Sequence, residues 1–295
     1  MQVLRISFLF LFISFISQIN LQAQVEDESL TESSEVEDTS GYLDDIVERE
    51  VLNEQRILAY EPIREADIVW EKRIWRVIDV REKMNIQFLY PEKPFFKILI
   101  DAAKSGDVKI FSTDEFKKRV TGADLEAQLS NTDTTTVYDP DTYEETVKII
   151  HNDIDFNDIK KFRVKELWYF DKESSRMNCR ILGIAPVKEE KDASTGEVKY
   201  ELPMFWMYYP ELRHVLARER VFNEKNDISP SSWADIFDTR FFSSYIIKQS
   251  NVQSMRLEDI FTGEKWGDNA GIQMLLESEK IKSELFNFEH DLWVY

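Results

Sequence analysis

The chain has 295 residues, with 37 Lys or Arg against 56 Asp or Glu, a formal net charge of −19. That balance argues against nucleic acid and against an anionic membrane surface as partners, because both are bound through a basic face. Apolar residues at 43% and aromatic residues at 13% imply a packed core, which a chain of this length can bury in one large domain or two small ones.

Residues 1–23 read as a secretory signal. Arg5 supplies the positive start, Ile6 to Ile16 is apolar apart from Ser7 and Ser14, and Leu21-Gln22-Ala23 precedes a cut after Ala23. An apolar run of about 11 residues is too short for a ~30 Å hydrocarbon core. A lipoprotein anchor needs a cysteine at the cut, and the single cysteine is Cys179. No later stretch is apolar enough to span a membrane. The exported chain is therefore expected to rely on partners for its position.

Residues 24–41 form an acidic linker. Glu26 to Asp38 contains seven carboxylates and neither a basic nor an aromatic residue. Such a segment cannot offset its own ordering entropy, and is expected to wrap a neighbour and to be trimmed first by protease.

The region 42–130 reads as mainly helical. Ile46, Val47, Val51, Leu52 and Leu58 give a ragged stripe that Pro62 ends. Ala66 to Met84 places Trp70, Ile74, Val77, Ile78 and Met84 near one helical face, although Ile74 to Val80 also suits a strand. Pro94 to Ala103 is a helix with Pro at its start and Gly106 past its end. Val108 to Phe111 is a short strand, and Ser112-Thr113-Asp114-Glu115 has the pattern of a capping box opening a helix to about Val120.

The region 131–295 reads as α+β and as one compact unit with the preceding region. Asn131 to Tyr143 is a Thr/Asp-rich loop. Thr146 to His151, Phe162 to Phe170, Met177 to Val187 and Val198 to Tyr209 read as an antiparallel meander. Three helices come next: Pro210 to Val221; one opened by Ser232 and Asp235, carrying Trp233, Phe237, Phe241 and Tyr245; and Ala270 to Leu285. The fold class is α+β, with N-terminal helices, a central antiparallel meander and C-terminal helices packed on it.

Chemistry-bearing constellations are few. His151, Asp153 and Asp155 alternate, so a strand would put them on one face near Asp158, a possible site for a cation. The set lacks the glycine and carboxylate spacing of a calcium loop, and a solvated acidic face is the plainer reading. It carries the alternative function, a periplasmic metal-dependent enzyme or binding protein. Cys179 alternates with Met177 and Ile181 and reads as a small buried hydrophobe. No phosphate loop, dinucleotide fingerprint or serine elbow is present. No catalytic, cofactor or metal residue is assigned.

The densest aromatic run is Pro203-Met204-Phe205-Trp206-Met207-Tyr208-Tyr209-Pro210. It is either a strand buried on both sides or one with a face for a partner. Trp70, Trp75, Trp206, Tyr208 and Tyr209 are the candidate interface residues.

Three stretches have a distinctive wording: Trp70 to Asn85 (WEKRIWRVIDVREKMN), Phe162 to Phe170 (FRVKELWYF) and Trp233 to Tyr245 (WADIFDTRFFSSY). With Phe205 to Pro210 they resemble the gliding-motility-associated GldN family, also called PorN, from about Tyr42 to about Gly263. The resemblance implies a periplasmic component of the type IX secretion system. It implies pairing with an outer-membrane lipoprotein of the GldK or PorK kind in a large ring, which the inner-membrane motor proteins GldL and GldM reach toward. It carries no catalytic residues.

Overall fold

The computed structural model describes residues 46, 56–138, 145–153, 159–191, 198–224, 226, 229–261 and 267–291. The chain divides into two units, 1–48 and 49–295, and the sheet and helices belong to the second. The expected signal and acidic linker lie outside the described residues. So does most of the helix expected over 42–60, and its described end, residues 56–60, is not helical.

The fold is α+β. Its centre is a seven-stranded antiparallel sheet of β1 (Ile68–Asp79), β2 (Ile110–Phe111), β5 (Lys161–Asp171), β6 (Arg176–Lys191), β7 (Val198–Pro203), β8 (Trp206–Tyr208) and β9 (Tyr245–Gln249). The order is β2-β8-β6-β5-β1-β9, with β7 also paired to the long β6. Two further strands, β3 (Ser130–Tyr138) and β4 (Glu145–Asp153), make a separate hairpin. The helices are α1 (Phe95–Ser105), α2 (Gly122–Leu129), α3 (Tyr209–Leu216), α4 (Trp233–Asp238), α5 (Leu257–Ile260) and α6 (Ala270–Asp291).

Register assigns the residues to faces. Ile78 lies opposite Phe162, Arg76 opposite Val164, Ile74 opposite Glu166, and Trp70 opposite Phe170. Because side chains alternate along a strand, these residues share one face. At its β2–β8 end this face carries the main core, where Ile78, Phe162, Val164, Ile184 and Met207 pack under Phe95, Phe96 and Leu99 of α1, Leu212 of α3, and Trp233 and Phe237 of α4. Toward β9 the same face carries a second core of Ile74, Ile246, Leu257, Ile281 and Leu285, contributed partly by α6. Trp70 stacks on Phe288 of α6 at 4.8 Å, and Ser278 of α6 accepts the Ile246 N–H at 2.7 Å. The opposite face holds a smaller cluster of Phe111, Ala185 and Trp206 with Trp75, Phe116 and Tyr208.

Four expectations change. Ala66 to Met84 is mostly strand β1, not helix. Its β-branched residues favour a strand, and Val77 is buried together with Ile74, Arg76 and Ile78, a two-sided burial that a helical stripe does not describe. Ser112 to Val120 is a turn, with Ser112 N–H bonded to Lys118 O at 2.9 Å and Phe116 at φ 58°. Glu115 pairs with Lys117 at 2.7 Å instead of completing the box with Ser112, and Asp114 between them accepts from Trp75 Nε1 at 2.9 Å and pairs with Lys165. Asn131 to Tyr138 is strand rather than loop, consistent with its run of threonines. The aromatic stripe from Trp233 stops early: α4 ends at Asp238, Phe241 is exposed and Tyr245 begins β9.

Three local expectations agree with the spacing, and the helix expected over Pro210 to Val221 is present but ends at Leu216. α1 starts after Pro94 and ends on Gly106 at φ 79°. Ser232 and Asp235 form the expected reciprocal cap on α4. The aromatic run at β8 is buried at Phe205, Met207 and Tyr209 on one side and Trp206 on the other.

Candidate functional site

The three distinctive stretches meet at one buried carboxylate. Glu166 sits on the apolar face of β5 between the two cores and is 0% exposed. An unpaired carboxylate there would cost several kcal/mol. Arg76 Nε, from β1, donates to Oε2 at 2.8 Å, and Arg240 Nη2, from the turn after α4, donates to Oε1 at 2.7 Å. Trp168 Nε1 adds a bond to Oε2 at 2.9 Å. Burial pushes the Glu166 carboxyl up, but the charges of Arg240 and Arg76 outweigh it and hold the group below the usual carboxylate range.

Local structure delivers Arg240. The N–H of Phe241 bonds to Ile236 O at 2.9 Å and that of Arg240 to Phe237 O at 3.2 Å, the paired closure of a Schellman motif. Arg240 occupies its left-handed position at φ 56°, where glycine is usual. The conformation costs a side-chain-bearing residue roughly 1–2 kcal/mol, and the guanidinium's contact with Glu166 offsets it. Asn85 fixes the same turn from the other side. Its Nδ2 donates to Asp79 O and Ser243 O, and its Oδ1 accepts the Ser243 N–H, all within 2.9 Å.

Cys179 belongs to this cluster: Arg240 Nη1 lies 3.1 Å from its sulfur. Burial and the adjacent Glu166 charge push the thiol well up, more than Arg240 and Arg76 lower it. The arrangement disfavours a nucleophilic thiolate.

One cleft opens on the network, and a larger groove lies beside it. A cleft of about 440 Å³ between the turn after α4 and α6 has Arg76, Trp168 and Arg240 in it, with Phe242, Ser243, Lys282 and Glu289 around them. Met84 lines this cleft and also the larger groove of about 1130 Å³. The groove runs along the 3-10 segment Lys83–Leu89, and its apolar walls are Ile86, Leu89, Tyr90, Phe222, Ile236 and Phe241. Ile86 is 57% and Phe241 55% exposed, and the Tyr90 and Phe222 rings stack at 4.7 Å. Exposed apolar side chains gathered in one groove make it a candidate docking site for a protein.

The five candidate interface residues are spread over the sheet. Tyr209 is buried in the main core and Trp206 in the cluster on the opposite face. Trp70 is half-buried under α6, and Trp75 and Tyr208 are half-buried beside Trp206. The structure does not bring the five together, and the exposed groove is lined by none of them. His151 and Asp153 lie on β4, opposite Thr132 and Ser130; Asp155 and Asp158 lie outside the described residues.

The network residues are not among those candidates, yet their signal is in the sequence. Glu166 is a charge at an inward position between Val164 and Trp168, and Arg76 stands likewise between Ile74 and Ile78. Charged groups at apolar positions of adjacent strands demand each other. Arg240 has no comparable local signal.

None of the curated proteins matches the chain significantly. The chain does match the gliding motility associated protein GldN family over residues 63–294, which takes in the whole sheet and α1 to α6. The match covers most of the chain, and the protein belongs to the GldN family.

Proposed function

We propose that this chain is a non-catalytic structural subunit of the type IX secretion and gliding-motility machinery. In this reading it is exported to the periplasm and held at the inner face of the outer membrane, in a multimeric ring with a GldK- or PorK-like lipoprotein. The periplasmic part of a GldM-like motor protein is a second partner. The family match over residues 63–294 carries the reading. The apolar groove around Ile86 and Phe241 supports it, since a subunit held by others needs exposed apolar surface. The signal-like residues 1–23 agree with an exported protein. Among the described residues no helix is long and apolar enough to cross a membrane.

The test is gentle solubilisation of the cell envelope followed by purification through this chain. The expected product is a high-mass complex containing a lipoprotein, and recovery solely as a free monomer overturns the proposal. Deletion of the chain should abolish export of type IX cargo, and normal cargo secretion counts against the reading.

A further inference from the structure

The face of β5 opposite Glu166 carries Lys161, Arg163 and Lys165 by two-residue alternation, all largely buried. Two of the three are neutralised. Lys161 pairs with Glu201 and with Glu189 at 3.3 Å, and Lys165 pairs with Asp114 at 3.4 Å. Arg163 is different. It is 6% exposed, and among the described residues no carboxylate pairs with it. Its Nη2 donates to the backbone oxygen of Glu201 at 3.3 Å, while its buried Nε has no acceptor. Burial and the Arg256 charge push the guanidinium below its ordinary pKa, by more than the nearby Glu201 and Glu258 charges raise it.

Arg163 lines a cavity of about 200 Å³ whose walls include Trp75, Thr113, Trp206 and Ile247. Lys248 and Arg256 line it too, and neither forms an ion pair among the described residues. Lys248 Nζ sits 4.7 Å over the Trp75 ring and donates to Ser254 Oγ at 2.8 Å. The one acid of the cavity, Asp114, is already engaged by Trp75 Nε1 and Lys165. Arg163 is the buried cation of the three, while Lys248 is half-buried and Arg256 exposed; a buried guanidinium without a directly paired acid is costly unless an anion joins it.

We propose that this cavity is an oxyanion site that takes a phosphate group. A phosphate has up to two negative charges and offers oxygens to three cations at once, where a carboxylate offers one charge and two oxygens. Arg163 provides the buried fork, and Lys248 and Arg256 close over the anion from the rim. The site is independent of the assembly role proposed above.

The experiment uses the signal-free full-length chain, titrated with inorganic phosphate against chloride at matched ionic strength. The readouts are the NMR resonance of the Trp75 indole N–H and the melting temperature. Phosphate should shift both saturably and chloride neither. Arg256→Gln and Lys248→Gln, both outside the core, should each weaken the response at least tenfold. Arg163→Met should melt higher than the parent without phosphate, having lost an unpaired buried charge, and should not respond to phosphate. Equal responses to phosphate and chloride, or an unchanged response in Arg256→Gln and Lys248→Gln, overturn the site. Tighter binding of N-acetylglutamate than of phosphate also overturns it, in favour of a partner's carboxylate. Co-sedimentation with phosphatidylcholine vesicles doped with phosphatidate assigns the phosphate to a lipid headgroup, and a response to free phosphate without it assigns a soluble anion; both uphold the site.

Discussion

Arg240 and Arg76 hold opposite oxygens of Glu166, at 2.7 and 2.8 Å, so one buried carboxylate ties the turn after α4 to the centre of the sheet. Removing the shared acid leaves the buried Arg76 and the half-buried Arg240 without a counter-charge, whereas removing Arg240 leaves Glu166 still paired to Arg76. Glu166→Ala is therefore expected to destabilise by about 3–5 kcal/mol, and Arg240→Met by less. Urea unfolding with an unchanged slope measures both. A loss below about 1 kcal/mol for Glu166→Ala, the range of an exposed pair, would show that the network does not hold the two cores together.

The same network predicts an acid response. The folded carboxyl of Glu166 is depressed, so its contribution is fully present above the ordinary glutamate value of about 4.3. It is lost as pH falls through the lower folded value. Between pH 5 and the acid transition, the parent should lose stability more steeply than Glu166→Gln, which has no proton to take up there. Comparing the two cancels the titration of the many other carboxylates. Parallel stability curves would refute the assigned depression.

Cys179 gives a third prediction. Its thiol is raised by burial and by Glu166, so little thiolate forms at neutral pH. Labelling of the native protein with a disulfide reagent at pH 8 should be far slower than labelling of the unfolded chain. Glu166→Gln should speed it, since the adjacent negative charge is gone. Labelling of the native chain as fast as of the unfolded one would contradict the cluster geometry.

The strands of the meander were legible because their apolar positions alternate and their turns are marked, as at Asp171 to Arg176. β1 was ambiguous because Trp70, Ile74, Val77 and Ile78 suit a helical stripe as well as a strand. Only pairing with β5 and β9 decides between them. β9 has no signal of its own, because Tyr245 continues an i, i+4 aromatic pattern that the left-handed Arg240 interrupts. Nothing local announces that interruption, because the side chain that stabilises it reaches a residue 74 positions away. The groove was illegible for the same reason: Ile86, Phe222 and Phe241 come from three separate segments.

Gly183 and Phe116 make a fourth case. A Cβ on Gly183 would lie 2.5 Å from the Phe116 ring and 3.2 Å from Met207 O. Phe116 is held there by edge contacts to Phe111 and Tyr208, at 5.5 and 5.4 Å between ring centres. Gly183→Ala should cost about 1–3 kcal/mol through overpacking. Adding Phe116→Ala should remove most of that cost, so the double variant is less destabilised than the two single effects predict together. Additive effects would place the clash elsewhere, at the Met207 carbonyl.

The groove supplies the prediction closest to function. Ile86 and Phe241 contribute little to the core, being more than half exposed, so Ile86→Ser and Phe241→Ser should change stability by no more than about 0.5 kcal/mol. If the groove is a docking surface, the same changes should reduce recovery of the high-mass envelope complex and export of type IX cargo. Buried positions cannot make this distinction: Phe237→Ala would lower assembly simply by unfolding α4, whose ring packs between Phe95 and Tyr209. Equal melting temperatures with lost assembly identify the groove as a contact, whereas equal melting temperatures with full assembly and secretion remove it from the interface.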